Sequence, residues 1–211
     1  KSHSEMRHDC DRGGLSLPVL SGQEMFTEFV FRKKYLVSVC LQFLRRSFLN
    51  EAGITFLEGI LHEDNLFTFQ VMMNAGRTEC LNLKLFDRRI RQGCTMTKKP
   101  DYYNCRGYYV CCLEILKYAL NHQKESGCAL QLSLAELLKE LFYSVKRTYG
   151  KLQKQQKMQM IKHCTPIEKY IFCIWVLPPG AMHRIRRLLK NKGLGGTIGI
   201  TAARIAERVR G

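Results

Sequence analysis

The sequence predicts a mainly α-helical protein with a multi-helix, bundle-like core, a basic C-terminal helical segment and at most one or two short strands. Apolar residues recur at helical spacing in several long stretches, and capping signatures precede three of them. Strict alternation of apolar and polar residues, which is typical of a strand, covers one stretch only. With 45% hydrophobic and 25% charged residues among 211, the composition is that of a folded protein rather than a disordered tail.

Three helices are predicted in the first third of the chain. Ser21 and Glu24 form a capping box, and apolar residues then continue at helical spacing to about Phe48, so this stretch is predicted to be one long core helix. Two shorter helices follow over 51–61 and 65–74, with a break between them at His62-Glu63-Asp64.

The middle of the chain contains the one candidate strand. Leucines alternate with polar residues over 79–86, although a helix that starts at Thr78 fits this stretch almost as well. The stretch 92–104 contains glycine and proline and is predicted to be a loop. Apolar residues at helical spacing then predict a helix that ends near His122, followed by a loop over 121–127.

Further helices are predicted in the second half. Ser133 and Glu136 form a second capping box, before an apolar stripe that fades at Gly150. The Gln- and Lys-rich stretch 151–162 is interpreted as an exposed helix extension or a mobile link. Another helix begins with the sequence Thr165-Pro166-Ile167-Glu168, which supplies an N-cap, an N1 proline and an N3 acid. Two basic helices are expected after it, over 181–191 and 201–209.

These elements predict four segments along the chain. No internal repeat with a fixed period is present, so a solenoid is not supported. The segments are an extended N-terminal arm over 1–20, a helical core domain over 21–149, a basic linker or helix extension over 150–164, and a basic C-terminal helical segment over 165–211.

Charge is the first indication of function. The chain has 34 Lys and Arg against 18 Asp and Glu, a formal net charge of +16, which is unlike a typical small-molecule enzyme and suits a polyanionic partner. Most of the excess lies after residue 140, where bases cluster over 146–162 and again over 184–192 with only Glu168 and Glu207 as acids. This polarity predicts an electrostatic binding face for RNA or DNA.

Tyrosines interleaved with bases over 98–109 strengthen this prediction, because unpaired bases stack on aromatic rings while cations hold phosphate. The alternative is that Tyr108 and Tyr109 are helix core. RNA is slightly favoured over DNA because no clear recognition helix is present. The predicted nucleic-acid-binding residues are Lys98, Lys99, Tyr102, Tyr103, Arg106, Lys146, Arg147, Lys151, Arg184, Arg186, Arg187, Lys190 and Lys192.

The glycine-rich stretch 193–199 has two interpretations. It either caps the preceding basic helix or lets backbone amides approach a phosphate. Its spacing departs from both the dinucleotide-binding and the P-loop patterns. Because no other catalytic motif is found, we expect a noncatalytic protein.

The ten cysteines lie mostly within apolar runs, which predicts reduced thiols in an intracellular protein rather than a disulfide scaffold. A structural zinc site made from Cys105, Cys112, His122 and Cys128 is possible by ligand type, but the spacing of known zinc motifs is missing. No cofactor is therefore predicted. The first residues lack a secretory signal, and no apolar run is long enough to span a bilayer.

The alternative function is a protein–protein interaction subunit of a larger nucleoprotein assembly. Its basis is an apolar surplus on the first predicted helix, where Phe29, Phe31, Tyr35, Val37 and Val39 point in all directions. The basic run 184–192 resembles a nuclear import signal, so a nuclear location is expected under either function.

Overall fold

The computed structural model describes residues 12–81, 83, 85–86 and 99–176. These residues are mainly helical, which confirms the predicted architecture. The part of the chain described contains no strand, only an isolated antiparallel bridge between Leu20 and Thr78. The helices are α1 (Gly22–Phe31), α2 (Arg46–Glu51), α3 (Glu63–Asn74), α4 (Tyr102–Asn121), α5 (Cys128–Gly150), α6 (Lys154–Lys162) and α7 (Pro166–Trp175), with a 3₁₀ turn at Val39–Leu41.

The helices share one hydrophobic core centred on the α4–α5 pair. These two helices form the most extensive packing contact, and α1, α3 and α6 pack around them. Phe26 of α1, Phe69 of α3, Tyr109 of α4 and Phe172 of α7 are almost completely buried in this core. Burial of four aromatic side chains at the meeting point of four helices is a large hydrophobic contribution to stability.

The first helix is much shorter than predicted. It starts at the Ser21–Glu24 capping box, as expected, but it ends at Phe31 rather than near Phe48. Lys33 adopts a left-handed backbone conformation (φ 55°), and the N–H of Lys34 reaches back to the carbonyl of Phe29, which is the bonding pattern of a Schellman motif. A lysine occupies the position that usually holds glycine, so the sequence gives no stop signal there.

The early end of α1 removes the basis for its all-round apolar surface. Phe29 is buried in the core and Phe31 is exposed, whereas Tyr35, Val37 and Val39 follow the helix and do not lie on it. The residues after α1 instead form a second, smaller cluster over one face of α3. Its members are Val39, Leu44, Phe48, Leu49, Ile54, Phe67 and Val71, and Phe56 stacks on Phe67 at 4.2 Å between ring centroids.

The predicted helix over 51–61 is wrong, because α2 ends at Glu51 and turns follow it. The helix predicted over 65–74 is confirmed as α3, although it begins two residues earlier, so Glu63 and Asp64 lie in its first turn. Residues 79–81, 83 and 85–86 belong to neither a strand nor a helix. Within the predicted loop 92–104, residues 92–98 lie outside the described residues.

The second half contains two further corrections. Helix α5 begins at Cys128 with Gly127 as its N-cap, so Ser133 is not a cap; it is buried within the helix and donates to the carbonyl of Ala129. The stretch 151–162 is largely the separate helix α6. The capping box at Thr165 and Glu168 is confirmed, and α4 ends before His122 as predicted.

Met160 of α6, Phe172 of α7 and Cys164 in the turn between these helices lie in the same core as α1, α3, α4 and α5. The predicted division into four segments remains a prediction, and the helices predicted over 181–191 and 201–209 lie outside the described residues. Within the described ranges, every helix is too short or too polar to cross a membrane.

Candidate nucleic-acid interface

The α4–α5 hairpin brings two predicted groups of binding residues to the same end of the molecule. The two helices are joined by a short connection, and the thiol of Cys105 lies 3.8 Å from the carbonyl oxygen of Val145, so the start of α4 faces the end of α5. Tyr102, Tyr103 and Arg106 therefore lie at the level of the last turns of α5. That part of α5 and the residue after it carry Lys146, Arg147 and Lys151.

Tyr102 and Tyr103 lie in the first turn of α4, not in the loop that the sequence predicts. Asp101 is the reason: its carboxylate accepts hydrogen bonds from the N–H groups of Tyr103 and Asn104, which starts the helix at Tyr102. The hydroxyl of Tyr102 lies 2.9 Å from Nδ1 of His163, at the end of α6. Tyr103 contacts the Tyr102 ring edge-to-face at 5.3 Å and is 59% exposed.

Tyr109 is helix core, as the alternative interpretation predicts, whereas Tyr108 is only half-buried. Tyr109 is fully buried, packs edge-to-face on Phe172, and donates its hydroxyl hydrogen to the carbonyl of Glu168. Burial raises its pKa well above the ordinary value of tyrosine. Tyr108 is half-buried and stacks on the imidazole of His62 at 3.8 Å. Among these four tyrosines, Tyr103 is the one with most of its side chain in solvent.

Arg106 lies one turn after Tyr103 and is half-buried between α4 and the α6–α7 turn. Its guanidinium donates to the sulfur of Cys164, a weak acceptor, at 4.0 Å. We call the group formed by Tyr102, Tyr103, Arg106, His163 and Cys164 the α4–α7 corner. Sequence reasoning missed His163 and Cys164, because about sixty residues separate them from Tyr102 and neither stands in a motif.

The predicted bases at this end have no carboxylate partner within the part of the chain that is described. In the described part of the chain, the ion pairs join Arg32 to Glu28 and Lys139 to Glu136. The bases in question are Lys99, Arg106, Lys146, Arg147 and Lys151, and all are exposed except the half-buried Arg106. None of these bases is therefore ion-paired with a described carboxylate, although Asp101 lies among them at the start of α4 and Asp64, like Arg147, lies near Tyr108.

The structure does not join all of these bases into one site. Burial raises the pKa of Tyr108 and of Tyr102, and a nearby base opposes the rise in each case, Arg147 at Tyr108 and Arg106 at Tyr102. These two tyrosines contact different neighbours, His62 and His163. No described contact connects Lys146, Arg147 or Lys151 with the α4–α7 corner. The other predicted bases, Lys98, Arg184, Arg186, Arg187, Lys190 and Lys192, lie outside the described residues.

A polar cluster that the sequence did not single out lies beside Tyr108. His62 adopts a left-handed backbone conformation (φ 66°), which is uncommon for a residue with a side chain. The Nε2 of His62 lies 3.2 Å from the side-chain amide nitrogen of Asn104, and the thiol of Cys111 donates to the backbone carbonyl of His62. Burial lowers the pKa of His62 and raises the pKa of Asp64. The sequence His62-Glu63-Asp64 predicts a break between two helices, whereas in the structure Glu63 and Asp64 form the first turn of α3.

The cysteines that the structure describes are all free thiols, and those in α4 are buried, with their pKa values raised by burial. Cys105, Cys112, His122 and Cys128 do not converge. Cys128 stands exposed at the start of α5, whereas Cys105 and Cys112 lie in the core. Within the described ranges, no group of three or more His, Cys, Asp or Glu side chains is placed to hold a metal ion.

Comparison with known proteins gives no further assignment: no family model, no curated protein and no solved structure matches this chain.

Proposed function

We propose that this protein is a noncatalytic nucleic-acid-binding protein, with RNA favoured over DNA as its partner. The observation that supports this proposal is the group of bases at one end of the α4–α5 hairpin. These bases have no carboxylate partner among the described residues, and one of them, Arg106, lies one helical turn after the exposed Tyr103. Bases of this kind bind phosphate and release counterions from the nucleic acid, and aromatic rings add contacts to unpaired bases.

The C-terminal bases belong to the same proposal on sequence grounds. Arg184, Arg186, Arg187, Lys190 and Lys192 follow one another within nine residues, and guanidinium groups bind phosphate oxygens in pairs. A nuclear location is part of the proposal because this run resembles an import signal.

Two double substitutions with matched loss of charge test the interface. We expect Lys146→Gln with Arg147→Gln to weaken binding of labelled RNA and to make its salt dependence shallower by about 1.4, since each lost phosphate contact changes the slope by about 0.7 for a single strand. Lys117→Gln with Lys124→Gln is the control. These exposed lysines lie at the opposite end of the hairpin, about 20 Å along the helix axis, beyond the screening length of about 8 Å at physiological salt.

Fluorescence anisotropy at several salt concentrations gives both affinity and slope. Equal effects of the two double variants would contradict a localised interface, and failure of the wild-type protein to bind any RNA or DNA would refute the function. A shallow salt dependence of assembly in the wild type would favour the alternative of an interaction subunit. Exposed apolar side chains at Phe43, Leu83 and Leu85 support that alternative.

The polar cluster favours a second candidate function, proton transfer on a bound polar molecule. Strained backbone and paired residues with opposite pKa shifts are common at acid–base sites. His62 has the left-handed backbone conformation, and burial lowers the pKa of His62 while it raises the pKa of Asp64. A screen with phosphoryl, acyl and glycosyl donors tests this candidate. Turnover that Asp64→Asn abolishes and the neighbouring control Glu63→Gln retains would establish it and contradict the noncatalytic proposal; turnover unaffected by Asp64→Asn would exclude Asp64 as the acid or base.

A further inference from the structure

We propose that the α4–α7 corner binds one nucleotide of a single strand, with its base stacked on Tyr103 and its phosphate held by Arg106. This inference rests on the nucleic-acid-binding function proposed above. It goes further, because it selects single-stranded over double-stranded nucleic acid and assigns the selection to one side chain.

Tyr103 has the exposure that a stacking residue needs. Its side chain is 59% exposed, whereas Tyr109 is fully buried and Tyr108 stacks on His62. Its backbone N–H is held by the carboxylate of Asp101 in the first turn of α4, and its ring contacts the ring of Tyr102. A base that stacks on this ring gains contact without a large loss of side-chain freedom.

Tyr102 is the positioning residue in this arrangement. Its hydroxyl is hydrogen-bonded to Nδ1 of His163 at 2.9 Å, and its ring meets the Tyr103 ring at an interplanar angle of 77°. The hydrogen bond ties the first turn of α4 to the end of α6. Tyr102 therefore supports one side of the Tyr103 ring, and its own hydroxyl is already hydrogen-bonded to His163.

Arg106 supplies the phosphate contact. It lies three residues after Tyr103, and residues with this spacing are neighbours on a helix surface, with Cβ atoms about 5–6 Å apart. Its hydrogen-bond partner among the described residues is the sulfur of Cys164 at 4.0 Å, so most of its guanidinium donors remain available. A ring and a guanidinium one turn apart suit the base and phosphate of one nucleotide.

The arrangement favours a single strand because the faces of bases in a duplex are covered by their neighbours. Stacking on Tyr103 then requires a base to leave the duplex, and the free energy of unpairing and unstacking opposes binding of a duplex but not of a single strand. A duplex can still use the flanking bases, since phosphate contacts do not depend on base pairing.

The test compares a labelled single-stranded RNA of about ten nucleotides with the duplex of the same sequence. We expect Tyr103→Ala to weaken single-strand binding by roughly 5- to 100-fold, as for loss of one stacked base, and to leave duplex binding nearly unchanged. Tyr103→Phe retains the ring and is expected to bind like the wild type. Phe43→Ala removes an exposed aromatic side chain outside the α4–α5 hairpin and is the control, with circular dichroism to verify folding.

The outcomes separate this inference from the function on which it rests. Single-strand binding by the wild type with no loss in Tyr103→Ala would overturn the inference and leave the nucleic-acid-binding function intact. An equal loss in Phe43→Ala, or in duplex binding by Tyr103→Ala, would overturn it as well. Absence of wild-type binding to any RNA or DNA would refute both.

Discussion

Gly107 shows how a single residue determines the packing of this fold. It lies in α4 where the helix crosses the chain before α3, and a Cβ at this position would overlap the carbonyl of Leu61. The added Cβ has its position set by the helix backbone, and the atoms it overlaps are backbone atoms of Leu61, so a rotamer change cannot relieve the clash. Glycine is required here because α4 passes very close to the backbone of residue 61. This close approach places His62 against Tyr108.

We therefore expect Gly107→Ala to lower the free energy of unfolding by roughly 1–3 kcal/mol, the usual cost of overpacking, despite the higher helix propensity of alanine. Urea denaturation measures this change. The control is Gly150→Ala at the end of α5, where nothing lies within 4 Å of the added Cβ, so stability is expected to stay the same or to rise by up to about 1 kcal/mol. A Gly107→Ala protein as stable as the wild type would show that α4 does not approach residue 61 so closely.

Individual helices agree with the sequence where their ends are marked by side chains that cap them locally. Ser21 and Thr165 each accept a hydrogen bond from the backbone N–H three residues later. The glutamate at that later position accepts a hydrogen bond from the backbone N–H of the cap residue, so both helix starts were predictable. Ser133 has the same spacing to Glu136 but lies within α5, because apolar residues that begin near Cys128 extend the buried face of the helix. The buried apolar face therefore determines where α5 begins, and the Ser133–Glu136 spacing does not.

The same contrast gives a prediction at the level of the helix. Ser21→Ala removes a real cap and is expected to lower stability by about 1 kcal/mol. Ser133→Ala removes a hydroxyl whose acceptor, the carbonyl of Ala129, also lies in the helical ladder, so the loss is expected to be smaller. Thermal unfolding of both variants checks the order, and a larger loss at Ser133 than at Ser21 would contradict this prediction.

The end of α1 could not be predicted from its sequence. The left-handed residue there is Lys33, and lysine is not a signal for this conformation. The segment that follows packs on Phe67 and Val71 of α3, a tertiary contact that apolar spacing cannot distinguish from a continued helix. Similarly, His163 joined the site through packing of α6 against α4, and the sequence offers no local trace of that contact.

For the whole molecule, the sequence predicts the amount of charge and its distribution along the chain, but not its place on the surface. The hairpin pairing of α4 with α5 brings Arg106 to the same end as Lys146 and Arg147, which lie about forty residues away in sequence. That convergence is a property of the fold. It depends on a short connection after His122, which makes the two helices antiparallel.

The C-terminal bases test whether the electrostatic proposal applies to the whole chain. Replacement of Arg184, Arg186 and Arg187 by Gln removes up to three phosphate contacts, so the slope of log affinity against log salt is expected to become shallower by about 2 for single-stranded RNA. The double variant Lys117→Gln with Lys124→Gln controls for reduced net charge. If the triple variant keeps the wild-type affinity and slope, the run 184–192 does not bind phosphate, and the hairpin end alone must account for any nucleic-acid binding. If the slope falls as expected while Tyr103→Ala still weakens single-strand binding more than duplex binding, the chain uses its C-terminal bases for affinity and the α4–α7 corner for selection.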